Sequence, residues 1–301
     1  MSKIAAISVL IPNYNHLCLP LVTQLQPQLE AAVIPYEIIV AEDGSTDSDL
    51  IEANSSIATL PCCRYIVRSE NVGRAAIRNF LALEAQYEYL LFIDSDMTVV
   101  RPDFISRYLA ERDVTVIDGG VSIGGDPVAL RGCLRFRYEK AEESSHTAEQ
   151  RQASPYQHFH TANLLIRRDI MLAHPFDERF HHYGYEDVLL GKTLRRHRVV
   201  IRHIDNPMGF CTFEDNDQFV AKTEESLRTL HEFRDDLRGY SRLLTFVAGI
   251  HVPLVRSLIR LWHRLFQKAE RRNLCGPRPS LLIFKIYRLG YYLSISSSNH
   301  C

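Results

Sequence analysis

Tyr89-Leu90-Leu91-Phe92-Ile93 forms a short apolar run that ends abruptly at Asp94-Ser95-Asp96. A run of this length, bounded by polar residues, predicts a strand buried on both faces of a parallel sheet. The same pattern recurs upstream. Ile4 to Ile11 predicts a first strand, closed by Pro12-Asn13-Tyr14-Asn15, with a helix following to about Ala32. Glu37 to Ala41 predicts a second, closed by Glu42-Asp43-Gly44-Ser45-Thr46-Asp47, a cluster of turn and helix-capping residues. A third strand is expected near Arg64 to Arg68, after another helix, and Asn71-Val72-Gly73 opens the helix before the fourth. Strands alternating with helices over about a hundred residues predict βαβ units and an α/β fold with a mostly parallel sheet. Ligands bind beyond the carboxyl ends of such strands. Three polar clusters fall there: Pro12 to Asn15, Asp43 to Asp47, and Asp94 to Asp96.

From about Val114 the alternation weakens. Gly119-Gly120 and Gly124-Gly125 bracket a short segment, and a polar helix is expected from roughly Leu134 to Gln152. Strands are expected at Thr161 to Arg167 and Val199 to His203, the latter stopped by Asn206-Pro207. Between them an aromatic- and histidine-rich loop, Phe176 to Tyr185, leads into a helix that starts at Glu186-Asp187 and runs to about Arg196. Glu214 to Phe233 predicts an amphipathic helix.

The overall net charge of -1 conceals an asymmetry. Residues 241–301 hold ten Lys/Arg and one acid, a net of +9, so residues 1–240 carry a net of -10. An acidic body with a basic tail points to an anionic partner at the C-terminus, either membrane or nucleic acid. Within the tail, residues 251–272 predict the clearest amphipathic helix of the chain. Leu254, Leu258, Leu261 and Leu265 fall within about 60° of each other, with Val255, Ile259, Trp262 and Phe266 widening the face and Arg256, Arg260, Arg264, Lys268 and Arg271 opposite. A second apolar segment runs from Leu281 to Leu293. This composition suits an interfacial helix on an anionic membrane; packing on the protein's own body is the alternative. No nucleic-acid module accompanies the basic residues, so nucleic acid is not expected. The seven cysteines, an odd number without a C-x-x-C pair, suit reduced thiols in a cytoplasmic protein. Neither a signal peptide nor a membrane span is expected.

The candidate chemistry begins at Asp94 and Asp96. Two carboxylates one residue apart at an open sheet edge can hold a divalent cation that also takes phosphate oxygens; capping of the turn or of the helix near Pro102 is the other reading.

Taken together, Ser8 to Asn15, Ile38 to Asp47, Asn71 to Asn79 and Phe92 to Asp96 resemble the family 2 inverting glycosyltransferases of the GT-A fold. Phe176-Asp177-Glu178-Arg179-Phe180 and Gly184-Tyr185-Glu186-Asp187 extend the resemblance, which covers roughly residues 4 to 235. It implies a GT-A domain over residues 1–240, with a nucleotide-sugar-binding half (1–100) and an acceptor-binding half (101–240), followed by the basic helical tail (241–301). Asp43 would bond the base, most simply uracil, beside Pro12, Asn13 and Tyr14, with Arg74 or Arg78 near the donor phosphates. Asp96 would hold Mn²⁺ or Mg²⁺, with Asp94 on the ribose or sharing the metal. Asp187 would be the catalytic base of an inverting displacement, and Glu186, Tyr185 and Gly184 would line the acceptor.

The chain departs from the family pattern in one place. Related sequences often carry a late His that completes the metal shell, and the equivalent position here is Phe210; His203, upstream, is the substitute candidate. His158, His160, His181 and His182 lack ligand spacing. The resemblance thus implies a hexosyl- or N-acetylhexosaminyltransferase acting on a glycan or lipid-linked acceptor in surface polysaccharide assembly, at the inner face of a membrane. Two rivals stay open. One is a degenerate nucleotide-sugar-binding partner in a glycan-assembly complex; the other is a sugar nucleotidyltransferase, although Pro12 to Asn15 is not the Gly-rich phosphate loop that class expects.

Overall fold

The structure, a computed structural model, describes residues 3–296. Its elements begin with β1 (Ile7–Asn13), α1 (Leu19–Ala31), β2 (Tyr36–Asp43), α2 (Ser48–Ser55), β3 (Cys63–Arg68), α3 (Arg74–Glu84) and β4 (Tyr89–Ile93). There follow β5 (Met97–Val99), α4 (Phe104–Ala110), β6 (Val116–Asp118), β7 (Val121–Ile123), α5 (Leu134–Glu143), α6 (Ala148–Ala153), β8 (Asn163–Arg167) and α7 (Arg168–Ala173). The chain continues through α8 (Glu186–Arg196), β9 (Ile201–His203), β10 (Met208–Phe210), α9 (Asn216–Glu232), α10 (Arg242–Gly249), α11 (Pro253–Leu274) and α12 (Leu281–Ile295). Two compact units result. Among the described residues, one comprises residues 3–124, Ser145–His181 and Leu189–Thr212; the other comprises Gly125–Ser144, His182–Val188 and residues 213–296.

The first unit is built on a seven-stranded sheet in the order β3-β2-β1-β4-β8-β6-β9. β1, β2, β3 and β4 are parallel neighbours, as the βαβ pattern predicts, while β8 is antiparallel to both β4 and β6. Val9, Leu10, Ile39, Val40, Leu91 and Phe92 are wholly excluded from solvent. Burial of these strands on both faces explains why they read as unbroken apolar runs rather than alternating ones. The register sets Asn13 opposite Glu42 and Leu10 opposite Phe92, so β1, β2 and β4 open at the same sheet edge. A second, three-stranded sheet, β5-β10-β7, follows the Asp94–Asp96 segment.

Three expected elements differ, the first being β1, which starts later than expected and runs on through Pro12 and Asn13. β2 runs on through Glu42 and Asp43, both buried strand residues rather than turn residues. The helix expected over Leu134 to Gln152 is two helices. Thr147 interrupts it by capping α6, its hydroxyl accepting from Gln150 N while the Gln150 side chain returns to the Thr147 backbone. That reciprocal cap satisfies the first turn of a new helix better than continuation of the old one would.

The second unit is helical. Its core joins Leu134, Phe219, Val220, Leu274, Phe284 and Tyr287, drawn from α5, α9, α11 and α12. Arg137 donates to the Pro279 carbonyl, and Asn216 ties the start of α5 to the α11–α12 turn through Gly132 O and Gly276 O at 2.9 and 3.1 Å. The basic tail is thus packed into this unit along α12 and the end of α11.

Candidate functional site

The loops at the carboxyl ends of β1 and β2 are pinned together by side chains. Glu42, almost fully buried, receives Asn13 Nδ2 at 2.8 Å, Tyr65 Oη at 2.6 Å and Asn54 Nδ2 at 3.2 Å on one oxygen, and the Ser45 hydroxyl on the other. A buried carboxylate without partners would cost several kcal/mol, so this cluster holds the edge in one arrangement. Asn15 completes it. Its Oδ1 accepts from Thr46 N at 2.8 Å and Asp47 N at 3.0 Å, with its backbone at φ +50°, a conformation asparagine tolerates better than most residues. Asn13 is therefore a buried structural amide, whereas Tyr14 on the same loop is half exposed.

Asp43 clips the next loop. Its two oxygens accept from Val72 N and Gly73 N, each at 3.0 Å. Burial pushes its carboxyl above the ordinary range, against the lowering effect of those two N–H groups and of Arg68. Gly73, at φ +87°, begins α3, and a Cβ there would lie 3.0 Å from the His181 carbonyl oxygen. Gly44, at φ +65°, is tighter still, with a virtual Cβ 2.3 Å from Asn71 N. Within α3, Asn79 exchanges hydrogen bonds with the Phe176 backbone at 2.9 and 3.0 Å and donates to Glu178 at 2.8 Å. The Asn71–Asn79 and Phe176–Phe180 segments are thereby joined.

At the end of β4, the buried Arg78 donates to Asp94 Oδ1 at 2.7 Å and lies 5.6 Å from the centre of the Phe176 ring. Arg78 thus orients Asp94 from inside the fold, whereas Arg74, one turn earlier, is exposed. The Asp94–Met97 turn, closed by Met97 N to Asp94 O at 3.1 Å, carries a half-exposed Asp96. Phe210 pairs in register with Met97, so the position the family pattern gives to a late His is beside Asp96, and here it is a buried aromatic.

His203 is committed elsewhere. Its Nδ1 is 3.1 Å from Asp118 Oδ2 and its Nε2 is 3.0 Å from the Pro155 carbonyl oxygen. Arg151 closes the same buried cluster at 3.1 Å from Asp118. Burial would raise the Asp118 pKa, but His203, Arg151 and His160 together hold it below the usual carboxylate range. Among the described residues no group of three or more His, Cys, Asp or Glu forms a metal cage. The Asp94–Asp96 turn offers hard oxygen donors, which suit Mg²⁺ or Mn²⁺ if phosphate oxygens supply further ligands.

In the second unit, the Gly184-Tyr185 turn has two consecutive residues at positive φ, +100° and +71°. A Cβ on Gly184 would meet Ser226 Oγ at 2.9 Å. Tyr183 is fixed on both sides, its N–H given to Glu225 Oε1 at 3.1 Å and its carbonyl accepting from Thr229 Oγ1 at 3.2 Å. Arg288 of α12 donates to Tyr138 Oη at 3.3 Å and interacts electrostatically with Tyr185. Burial raises the Tyr185 phenol pKa, with Arg288 opposing the rise. Glu186 is buried and Asp187 half buried in the acidic first turn of α8, where Asp187 Oδ1 accepts its neighbour Val188 N at 2.7 Å. Glu42, Asn79 and Arg288 are the organising residues that sequence reasoning missed. An acid next to the apolar run Ile38–Ala41 was the available signal for Glu42.

Residues 8–172 match the family model of glycosyl transferase family 2. A chondroitin synthase of Escherichia coli is 24% identical over 243 residues, covering 69% of this chain and 34% of the relative. A hyaluronan synthase of Pasteurella multocida is 25% identical over 238 residues, covering 68% of this chain and 24% of the relative. The chain thus spans about a third of the length of the first of these proteins and about a quarter of the second. Among solved structures, a mannosyltransferase from Pyrobaculum calidifontis, in complex with GDP-Man and Mn²⁺, superposes with a TM-score of 0.54 at 12% identity, over 97% of this chain and 86% of that one. The fold is GT-A.

Proposed function

The chain belongs to glycosyl transferase family 2, and on that premise we propose that it transfers a hexosyl or N-acetylhexosaminyl group, with inversion, from a UDP-linked donor to a glycan or lipid-linked acceptor in surface polysaccharide assembly. The observation that carries this reading is the pinned edge of the first unit, where Glu42, Asn15, Asp43 and Arg78 hold the loops after β1, β2 and β4 in one arrangement. Preorganisation of this kind lets a site bind a polyanionic donor without ordering its own loops first. The glycan-synthase relatives agree with the substrate class.

In the proposed mechanism the Pro12–Tyr14 loop and Asp43 border the nucleoside, with the exposed Tyr14 ring as a stacking face. Asn13 acts through its backbone, since its amide is held by Glu42. Arg74 faces the diphosphate, and Arg78 acts indirectly by orienting Asp94. Mn²⁺ or Mg²⁺ would be held by Asp96, assisted by Asp94, and when bound would offset the charge of the departing diphosphate. Asp187 takes the proton from the acceptor hydroxyl as that oxygen bonds to the anomeric carbon; the carbon–oxygen bond to the diphosphate breaks, its electron pair leaving with the diphosphate. Glu186, Tyr185 and Gly184 shape the acceptor side.

A hydrolysis and transfer screen over UDP- and GDP-linked sugars, each with Mn²⁺, with Mg²⁺ and with chelator, tests the reading. Turnover of a UDP-sugar that chelator abolishes is the expected result. Binding of donors without turnover of any would replace the enzyme by a nucleotide-sugar-binding protein.

A further inference from the structure

Helix α11 is inside out. Apart from Leu274 at its C-terminal end, which joins the core, its buried residues are polar: His263 and Glu270 are buried and meet Nδ1 to Oε2 at 3.1 Å, with His263 against Gly290 of α12. Trp262 gives its Nε1 proton to Glu270 Oε1 at 3.0 Å and packs against Phe266 in a tilted pair, 4.3 Å between ring centres. The apolar side chains that a soluble helix buries face solvent instead. Leu254 and Leu265 are each 66% exposed, and Leu258, Leu261, Trp262 and Phe266 are exposed beside them. Helical spacing makes these one continuous stripe, with Arg260, Arg264 and Lys268 along one flank. Two arginines expected on the same basic face have other duties. Arg256 donates to the Val247 and Ile250 carbonyls at 2.9 and 2.8 Å, and Arg271 is paired with Glu224.

We propose that this face docks on the surface of an anionic phospholipid bilayer. The helix would lie in the interfacial plane, its leucines and Trp262 among the upper acyl segments and its flanking cations at the headgroups. Charge decides between lipid and a second copy of the chain. Residues 241–301 hold ten Lys/Arg against one acid, and that acid, Glu270, is buried. A second α11 on the stripe would set arginine against arginine, whereas anionic headgroups supply the missing complement. No helix among the described residues is long and apolar enough to cross a membrane, so docking is by lying on the surface.

The test uses the full chain with vesicles of phosphatidylcholine alone or mixed with phosphatidylglycerol. The single tryptophan, Trp262, provides a readout without mutation: anionic vesicles should shift its emission to the blue and carry the protein into the pellet, and about 0.5 M salt should weaken this at least tenfold. The double variants Leu258→Gln/Leu265→Gln and Arg264→Glu/Lys268→Glu should each reduce sedimentation at least tenfold with unchanged circular dichroism, since all four side chains are exposed. Absence of both emission shift and sedimentation, or equal binding to neutral and anionic vesicles, overturns the proposal. So does a lipid-free dimer, seen by light scattering, that Leu258→Gln/Leu265→Gln dissolves; the face would then belong to a second copy.

Discussion

At the scale of single residues, the proposed roles of Asp96 and Asp187 separate cleanly. Asp96→Asn should remove the metal-dependent part of donor affinity without unfolding the protein, because the side chain is half exposed; calorimetry with UDP and Mn²⁺ checks this, and unchanged affinity removes Asp96 from the metal. Asp187→Asn keeps the shape of the side chain but not its basicity, so turnover should fall roughly 10²–10⁴-fold with donor affinity little altered. Loss of donor binding at normal saturated turnover would instead make Asp187 a binding residue. Asp118 belongs to stability. Removing its charge leaves Arg151 buried without its counterion, a loss of about 3–5 kcal/mol at pH 7 that denaturant unfolding can measure. Because its folded pKa is depressed, its contribution is present above its unfolded value, about pH 4, and fades as pH falls through the folded value. The stability gap between wild type and Asp118→Asn should therefore start to narrow as pH falls below about 4 and close only below the depressed folded value. The short polar motifs after the strands were legible as candidates because their pattern is local. Their partners were not: Glu42 collects Asn13, Asn54 and Tyr65 from distant parts of the chain, and no spacing rule reveals such a convergence.

At the scale of elements, apolar runs and helix-start signals located β1, β2, β3, β4 and β9 within a few residues, since buried strands and caps leave local traces. Sheet order leaves none, and the antiparallel placement of β8 between β4 and β6 came only from the structure. The amphipathic stripe of α11 was also legible, but which face it would bury was not. Hydrophobic periodicity left the leucines either a membrane surface or the protein's own body to face; the buried His263–Glu270 pair and the missing side chain at Gly290 put the opposite face of the helix against α12. A Cβ at Gly290 would stand 2.6 Å from His263 Cβ. Gly290→Val should thus force α11 off α12 and cost about 1–3 kcal/mol by overpacking. Thermal unfolding measures the loss; an unchanged midpoint would mean that α11 does not need this close approach.

At the scale of the whole molecule, the charge division of the chain was visible in the sequence, but the packing of its basic part was not. A boundary near residue 240 follows the change in composition, whereas the helical core crosses it: Leu134, Phe219 and Val220 lie before, Leu274, Phe284 and Tyr287 after. Hydrophobic contact between segments so far apart in sequence has no local signature. The exposed stripe of α11 and the pinned sheet edge belong to different units of one chain. The Arg288–Tyr138 hydrogen bond, made by the tail to α5, gives this packing a practical side. The tail is not an anchor that can be trimmed to obtain a simpler catalytic fragment. An expression product stopped at residue 240 would lose Arg288 from beside Tyr185 and Tyr138, and would open an apolar wound where Phe284 and Leu274 had been. Such a fragment should aggregate or, if rescued, melt first around Gly184-Tyr185, where hydrogen exchange would report the lost protection.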